Sequence, residues 1–367
     1  MKRRMIRQGF LAGLVIVLAA AGSARAALTP QEQALVRGAK KEGAVTIINP
    51  IFADRTGSRL EAVFVKRYGL GEGFRLNNLR KGTGAVVSQV RQEIQAGKLT
   101  VDIITVSAPA FFDAAAKRGT FHALDSGYWK DHLELLQKAG QYSSYPYVVV
   151  PFAYTFQPAW NAGCPGMKDV RITSYEDLVR PEFKGKLIVT DITKSTTQTS
   201  AALGLQESGY DIVGLWRRLR PLDPVALFRT EVKIQRVVSC ERPIEPSHLA
   251  SRVYQNILLK PELKKVLRLG SYKEGHLMLG NQAAVLKGGP GPSAGKLLIE
   301  FLLSKEGTDI IVEGEVVYSF RKAYTPPAAV RPYLMDLSKT KLLGLKDWVG
   351  NQKDVKKIRD EWLGIFK

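Results

Sequence analysis

The stretch Leu187–Leu203, LIVTDITKSTTQTSAAL, reads as a short β-branched strand that runs into a hydroxyl-rich turn and opens a helix. Ile188, Val189 and Thr190 suit a buried strand, and Lys194, Ser195, Thr196 and Thr197 fall where the first helical turn should form. Backbone amides at such a helix start lack an intrahelical acceptor and favour an anion. An ordinary strand-to-helix connection with Ser/Thr caps would read the same way. The rest of the chain has to separate the two.

The 367-residue chain begins with Lys2, Arg3, Arg4 and Arg7, continues uncharged from Gln8 to Ala24, and reaches Ala24-Arg25-Ala26. This is the pattern of a secretory signal peptide at 1–26, cleaved before Ala27, with an apolar core short of the ~20 residues of a spanning helix. Arg3-Arg4 raises the twin-arginine route, but the rest of that motif is poor and favours Sec. No cysteine near the cleavage site supports a lipid anchor. Cleavage would remove five of the cations behind the +20 formal charge and still leave a basic protein that attracts anionic partners. Pairs such as Arg217-Arg218 and Lys264-Lys265 are scattered among carboxylates, so neither a basic stripe nor a nucleic-acid module is present.

At 45% hydrophobic composition, the remaining roughly 340 residues exceed one core and imply two domains. Cys164 and Cys240 are the only cysteines. They could pair in an oxidising compartment, but two cysteines fix neither distance nor geometry, and no neighbouring Cys or His supplies metal-ligand spacing.

Periodicity predicts a helix at Gln31–Lys41, a strand at Ala44–Ile48, a loop over PIFADRTGS, a helix through Leu60 and Phe64, and a strand at Phe74–Asn77. Gly82-Thr83-Gly84 precedes a helix closed by Gly97; VDIITV at Val101–Val106 is a strand, and Ser107-Ala108-Pro109 starts the next helix. Such alternation implies an α/β fold with a mostly parallel sheet. From Tyr142 an extended run broken by Pro146, Pro151 and Pro158 reads as a crossing between domains, followed by a capping box at Ser174–Asp177 and the opening stretch. Helix faces at Ile212–Leu219 and Ile234–Val238, extended runs at Val266–Leu269 and Leu277–Leu286, helices at Ala294–Leu303 and Thr308–Val312, and a helical tail at Leu342–Phe366 complete the order. The second extended run could carry the chain back to the first domain.

Gly291-Pro292-Ser293-Ala294-Gly295 matches the nucleophile-elbow pattern, but His122, His132, His248 and His276 all precede Ser293, against the order a hydrolase needs. Pro290 and Leu297 spoil a phosphate loop, and Gly82-Thr83-Gly84 lacks the third glycine of a dinucleotide fingerprint. No metal motif links the histidines, and no catalytic base or cofactor is indicated.

Two further stretches carry a resemblance. Tyr175–Asp191, YEDLVRPEFKGKLIVTD, resembles the segment that opens the second lobe in type 2 periplasmic solute-binding proteins of ABC importers. Ala283–Ile310, AAVLKGGPGPSAGKLLIEFLLSKEGTDI, resembles the same family's return strand, proline-containing loop and helix ending in a Ser-x-Glu-Gly turn. The branch is similar to that of ferric-iron, thiamine, polyamine, sugar-phosphate and aminophosphonate binders. The resemblance implies a periplasmic-binding-protein type 2 fold, with lobe 1 at 27–152 plus 278–334, lobe 2 at 153–277 and a C-terminal helical segment at 335–367. It also implies a ligand cleft closed by extended hinge crossovers.

Loops at the carboxyl ends of strands should line that cleft: Pro50–Arg55, Gly82–Gly84, Ser107–Pro109, the crossover near Tyr154, Asp191–Thr197 and Cys240-Glu241. Thr83, Gly84, Ser107, Ser195 and Thr196 offer hydroxyls and amides; Arg55 and Lys194 offer cations; Asp54, Asp191 and Glu241 could receive an amine or a metal. The resemblance further implies a periplasmic monomer, not an enzyme, that delivers a small polar solute to an inner-membrane ABC permease. Ferric binders of the branch share a Tyr-Tyr pair about ten residues after a Gly-Glu turn, hard phenolates suiting ferric iron. Here that spacing falls on Ala250-Ser251, with Tyr254 alone nearby, so an anionic or phosphorylated solute is expected and ferric iron is the alternative. An exported serine hydrolase is the rival from another class.

Overall fold

The computed structural model describes residues 28–345 and 352–367. The signal peptide expected at 1–26 and the tail stretch 346–351 lie outside the described residues.

Helix α1 (Pro30–Glu42) starts on a capping box in which Thr29 and Glu32 exchange side-chain to backbone hydrogen bonds, and ends at Gly43 with φ 72°. Strand β1 (Ala44–Asn49), α2 (Asp54–Tyr68), β2 (Arg75–Arg80), α3 (Thr83–Gln95), β3 (Ile103–Val106), α4 (Pro109–Lys117), α5 (Lys130–Lys138) and β4 (Val149–Tyr154) follow. The expected loop over PIFADRTGS is only four residues long. The Asn49 side-chain oxygen accepts from the amides of Ile51 and Phe52, and Glu315 accepts from Ala53, so the chain turns at once and α2 begins at Asp54.

From β4 the chain leaves its sheet for β5 (Gln157–Asn161), β6 (Ile188–Thr190), α6 (Thr196–Glu207), α7 (Ile212–Leu219), β7 (Val225–Leu227), α8 (Thr230–Val238), β8 (Ile244–His248), α9 (Ala250–Leu259) and β9 (Leu267–Leu269). It returns through β10 (His276–Leu277) and β11 (Leu279–Val285) to α10 (Pro292–Leu303) and α11 (Lys305–Glu315). Instead of being helical from Leu342, the tail makes β12 (Leu342–Leu343) against β10 and then α12 (Gln352–Phe366), which packs on α6 and α7.

The first sheet has the order β2-β1-β3-β11-β4; β1 runs parallel to β2 and β3, and β11 runs antiparallel to both its neighbours. Strands β3 and β11 are buried throughout because both faces are covered. Ile47, Ile103 and Val285 pack with α1, α2 and α10, whereas Ile48, Ile104 and Ala284 point the other way onto α3 and α4. The second lobe holds β8-β5-β9 and the parallel pair β6-β7, joined by a parallel bridge from Leu187 to Ile244.

Two crossovers, at residues 155–156 and 270–278, connect the lobes. Thr155 Oγ1 donates to Leu277 O at 2.8 Å. The Tyr272 amide donates to His276 Nε2 at 2.8 Å, so the proton sits on Nδ1, which donates to Phe156 O at 2.9 Å. Burial holds this ring below its ordinary pKa and therefore neutral. Cys164 and Cys240 form a disulfide, S–S 1.98 Å, within the second lobe.

Candidate functional site: a cleft between two lobes

The parallel strands place their carboxyl ends, and hence the starts of the helices that follow, on a common side of each lobe. Pro50–Asp54 follows β1, Arg80–Ala85 follows β2, Lys194–Gln198 follows β6 and Phe228–Glu231 follows β7; together with Tyr154 and Phe156 of the crossover they line a cleft of about 820 Å³. Helix α3 starts on Gly82 and α8 on Arg229, neither of which caps with its side chain. Helix α6 starts on Ser195, whose hydroxyl accepts from the Gln198 amide at 3.3 Å. The amides of Thr83 and Gly84 on one wall and of Thr196 and Thr197 on the other have no acceptor among the described residues. Two positive helix ends thus meet across the opening.

Side chains add to that field. Arg80, Lys81, Lys194, Arg229, Lys233 and Arg252 line the cleft, against the carboxylates Asp54 and Glu231. Arg80 and Glu231 pair across it at 2.7 Å, Arg252 stands 3.4 Å from Glu231, and Glu315 of the first lobe stands 3.9 Å from Arg252. Burial works to raise the Glu231 carboxyl, but Arg80, the α8 amide and Arg252 outweigh it and hold it below the ordinary range. Lys233 is buried and satisfied, at 2.8 Å from Thr190 Oγ1, 2.9 Å from Glu245 and 3.2 Å from Ser247 O. Burial pushes the Tyr154 phenol well up, with a hydrogen bond to Thr197 opposing, so it stays protonated.

Of the residues singled out from sequence, Asp54, Thr83, Gly84, Tyr154, Lys194, Ser195 and Thr196 line this cleft. Ser107 lies in an adjoining cavity of about 540 Å³ that shares Thr83, Gly84 and Thr196 with it. Three others lie elsewhere. Arg55 is exposed on the first turn of α2, beside Tyr254. Asp191 is buried under its own turn, accepting from Thr193 N at 3.1 Å and lying 3.8 Å from Lys194 and 3.4 Å from Lys367. Glu241 pairs with Arg236, and its turn precedes β8, which puts it at the opposite end of the strands from the cleft.

Arg80, Lys81, Phe228, Arg229, Glu231, Lys233 and Arg252 were not singled out from sequence. The available signal for Phe228–Glu231 is the order VAL-FRTE, a short strand meeting a helix start as at Leu187–Thr197, but the helical period is clear only from Ile234 onward. Ser293 lies beside the amino ends of β1 and β3, away from the cleft. Its amide and that of Ala294 donate to Glu42 at 3.0 and 2.7 Å, and a Cβ at Gly38 would collide with its side chain.

No family model matches the chain, and no curated protein matches it in sequence. Solved structures match in shape. The periplasmic binding protein AfuA from Actinobacillus pleuropneumoniae, with fructose-6-phosphate bound, has a TM-score of 0.70 at 16% identity, covering 88% of this chain and 98% of that one. The substrate-binding protein of an ABC transporter from Agrobacterium tumefaciens has a TM-score of 0.70 at 13% identity, covering 89% and 96%. Iron-bound HitA from Pseudomonas aeruginosa has 0.64 at 18%, covering 88% and 99%. At these identities the likeness is one of architecture, and the chain has the two-lobed α/β fold of the type 2 periplasmic binding proteins.

Proposed function

We propose that this chain is the solute-binding component of an ABC importer, exported to the periplasm, which captures a small anionic solute between its lobes and hands it to a membrane permease. The observation that carries the reading is the charge of the cleft: Arg80, Lys81, Lys194 and Arg229 stand against Asp54 and Glu231, while Lys233 and Arg252 are matched by Glu245 and Glu315, and the starts of α3 and α8 are uncapped on opposite walls. A low-dielectric cleft lined this way stabilises an anion more than either wall does alone. Thr83, Gly84, Lys194, Ser195 and Thr196 would hold the charged group, and Arg80 and Arg229 would neutralise it. In this reading lobe 1 comprises 27–152 plus 278–334 and lobe 2 comprises 153–277, with α12 packed on α6 and α7 of the second; closure about residues 155–156 and 270–278 would enclose the solute.

Ferric iron is the weaker reading. Tyr254, the phenol nearest the expected tyrosine-pair position, is packed on Tyr333, with ring centroids 5.1 Å apart. The hydrolase reading is weaker still, because Ser293 serves the packing of α10 on α1. Native mass spectrometry of the protein released gently from the periplasm tests the proposal. A bound anionic organic solute is the expected mass; a bound iron or a co-purified cation would overturn it.

A further inference from the structure

Helix α12 reaches the underside of the turn that opens α6. Trp362 is fully buried in the same apolar cluster as Ile192, Leu205 and Trp216. Arg359 Nε donates to Thr199 Oγ1 at 3.1 Å, and Arg220 Nε donates to Ile365 O at 3.1 Å. The Lys367 amide donates to Leu363 O at 3.0 Å, so the helical path runs on to this residue. These contacts set Lys367 Nζ 3.4 Å from Asp191 Oδ2, the oxygen that also lies 3.8 Å from Lys194 Nζ. Lys194 lines the cleft, whereas Asp191 and Lys367 stand behind it.

We propose that Lys367 is a positioning residue for this turn: by matching the charge of Asp191 from below, it leaves the ammonium of Lys194 free for an anion in the cleft. This rests on the anion reading above. The turn needs its buried carboxylate, because Asp191 accepts from the Thr193 amide at 3.1 Å and from the Thr193 hydroxyl at 2.5 Å. Left alone with Lys194, that carboxylate would cancel the cation's attraction for a solute and draw Nζ back onto the turn. With Lys367 on the same oxygen, Lys194 stays beyond hydrogen-bond distance of Asp191 and leans over the cleft, 5.2 Å from the centroid of the Phe228 ring. A carboxylate that the turn requires is thus compensated from outside the site.

Two measurements on the full chain test this. Acetylation of Lys194 by a limiting acylating reagent, followed by peptide mass mapping, needs no solute. Lys367→Gln should slow it about threefold as Lys194 turns onto Asp191, Lys367→Arg should leave it as in wild type, and Asp191→Asn should abolish the effect of Lys367→Gln. Calorimetric titration with inorganic phosphate, sulfate and citrate then reads the cleft. Lys367→Gln should lose about three- to fivefold in affinity for the anions that wild type binds, less in ~0.5 M salt, and less than about twofold when Asp191 is already Asn. A thermal melt of each variant checks that the fold is kept.

Equal Lys194 labelling in wild type and Lys367→Gln, or an equal affinity loss from Lys367→Gln with and without the Asp191 carboxylate, would overturn the role of Lys367 and leave the anion cleft standing. Failure of wild type to bind any of the three anions at millimolar concentration would overturn the anion reading, and the role of Lys367 in solute capture with it.

Discussion

Arg80 Nη2, at the end of β2 in the first lobe, lies 2.7 Å from Glu231 Oε1 in the first turn of α8 in the second. The pair bridges the cleft, and Arg252 supports the carboxylate from its own lobe at 3.4 Å. Both Arg80 and Glu231 keep solvent contact, with side-chain exposures of 32% and 58%, so the pair is worth on the order of 0–1 kcal/mol. Glu231→Gln should therefore shift the ligand-free protein toward an open form by up to about fivefold, and ~0.5 M salt should do the same to wild type. Fluorescence energy transfer between labels on the two lobes reads this. An unchanged distance distribution would make the bridge idle.

The Cys164–Cys240 bridge spans 76 positions of the second lobe. Closing a loop of that length limits the unfolded chain and should contribute about 2–4 kcal/mol. Urea denaturation with and without reductant, and of Cys164→Ser with Cys240→Ser, should show that loss. Because the bridge lies at the far end of β8 from the cleft, solute affinity at a temperature where both forms are folded should not change.

Glu300 on α10 is buried beside Ser126, Glu32 and Asp125, and burial raises its carboxyl from 4.5 to about 7, with the Ser126 hydrogen bond opposing. A raised acid binds its proton more tightly in the folded state, so its contribution is most favourable at low pH and is lost as pH rises from about 4.5 to about 7. The span corresponds to about 3 kcal/mol at most. Glu300→Gln should flatten that fall and stabilise the protein at pH 8 relative to wild type. Denaturation midpoints at pH 5 and pH 8 decide it; parallel slopes in the two proteins would refute the assignment.

Much of the architecture was legible in sequence because it is written in local patterns. The alternation of strand and helix, the glycine stop at Gly97, and the run Leu187–Leu203 each follow from residues within a few positions of one another. What escaped depends on distant partners. Whether Lys233 is a buried structural cation is decided by Glu245 on another element, and nothing near Arg80 announces that Glu231 will stand opposite. Asp191 looked like a cleft carboxylate from its neighbours, but the turn it caps and Lys367, from the far end of the chain, claim it. Glu241 was misplaced for a topological reason: its turn follows a helix and precedes a strand, so it lies at the amino ends of the strands. Cys164 and Cys240 could be paired only once β5 and β8 were known to be neighbours.

The central claim is that an anion is held between the starts of α3 and α6 with help from Lys194 and Arg229. Its most direct test is a calorimetric titration of the co-purified solute, or of a hexose phosphate if none is recovered, into wild type and into Lys194→Ala/Arg229→Ala. Two charge-assisted contacts should cost together about 3 kcal/mol, a loss of at least about a hundredfold in affinity, steeper at low salt. Equal affinity in the two proteins would contradict the account.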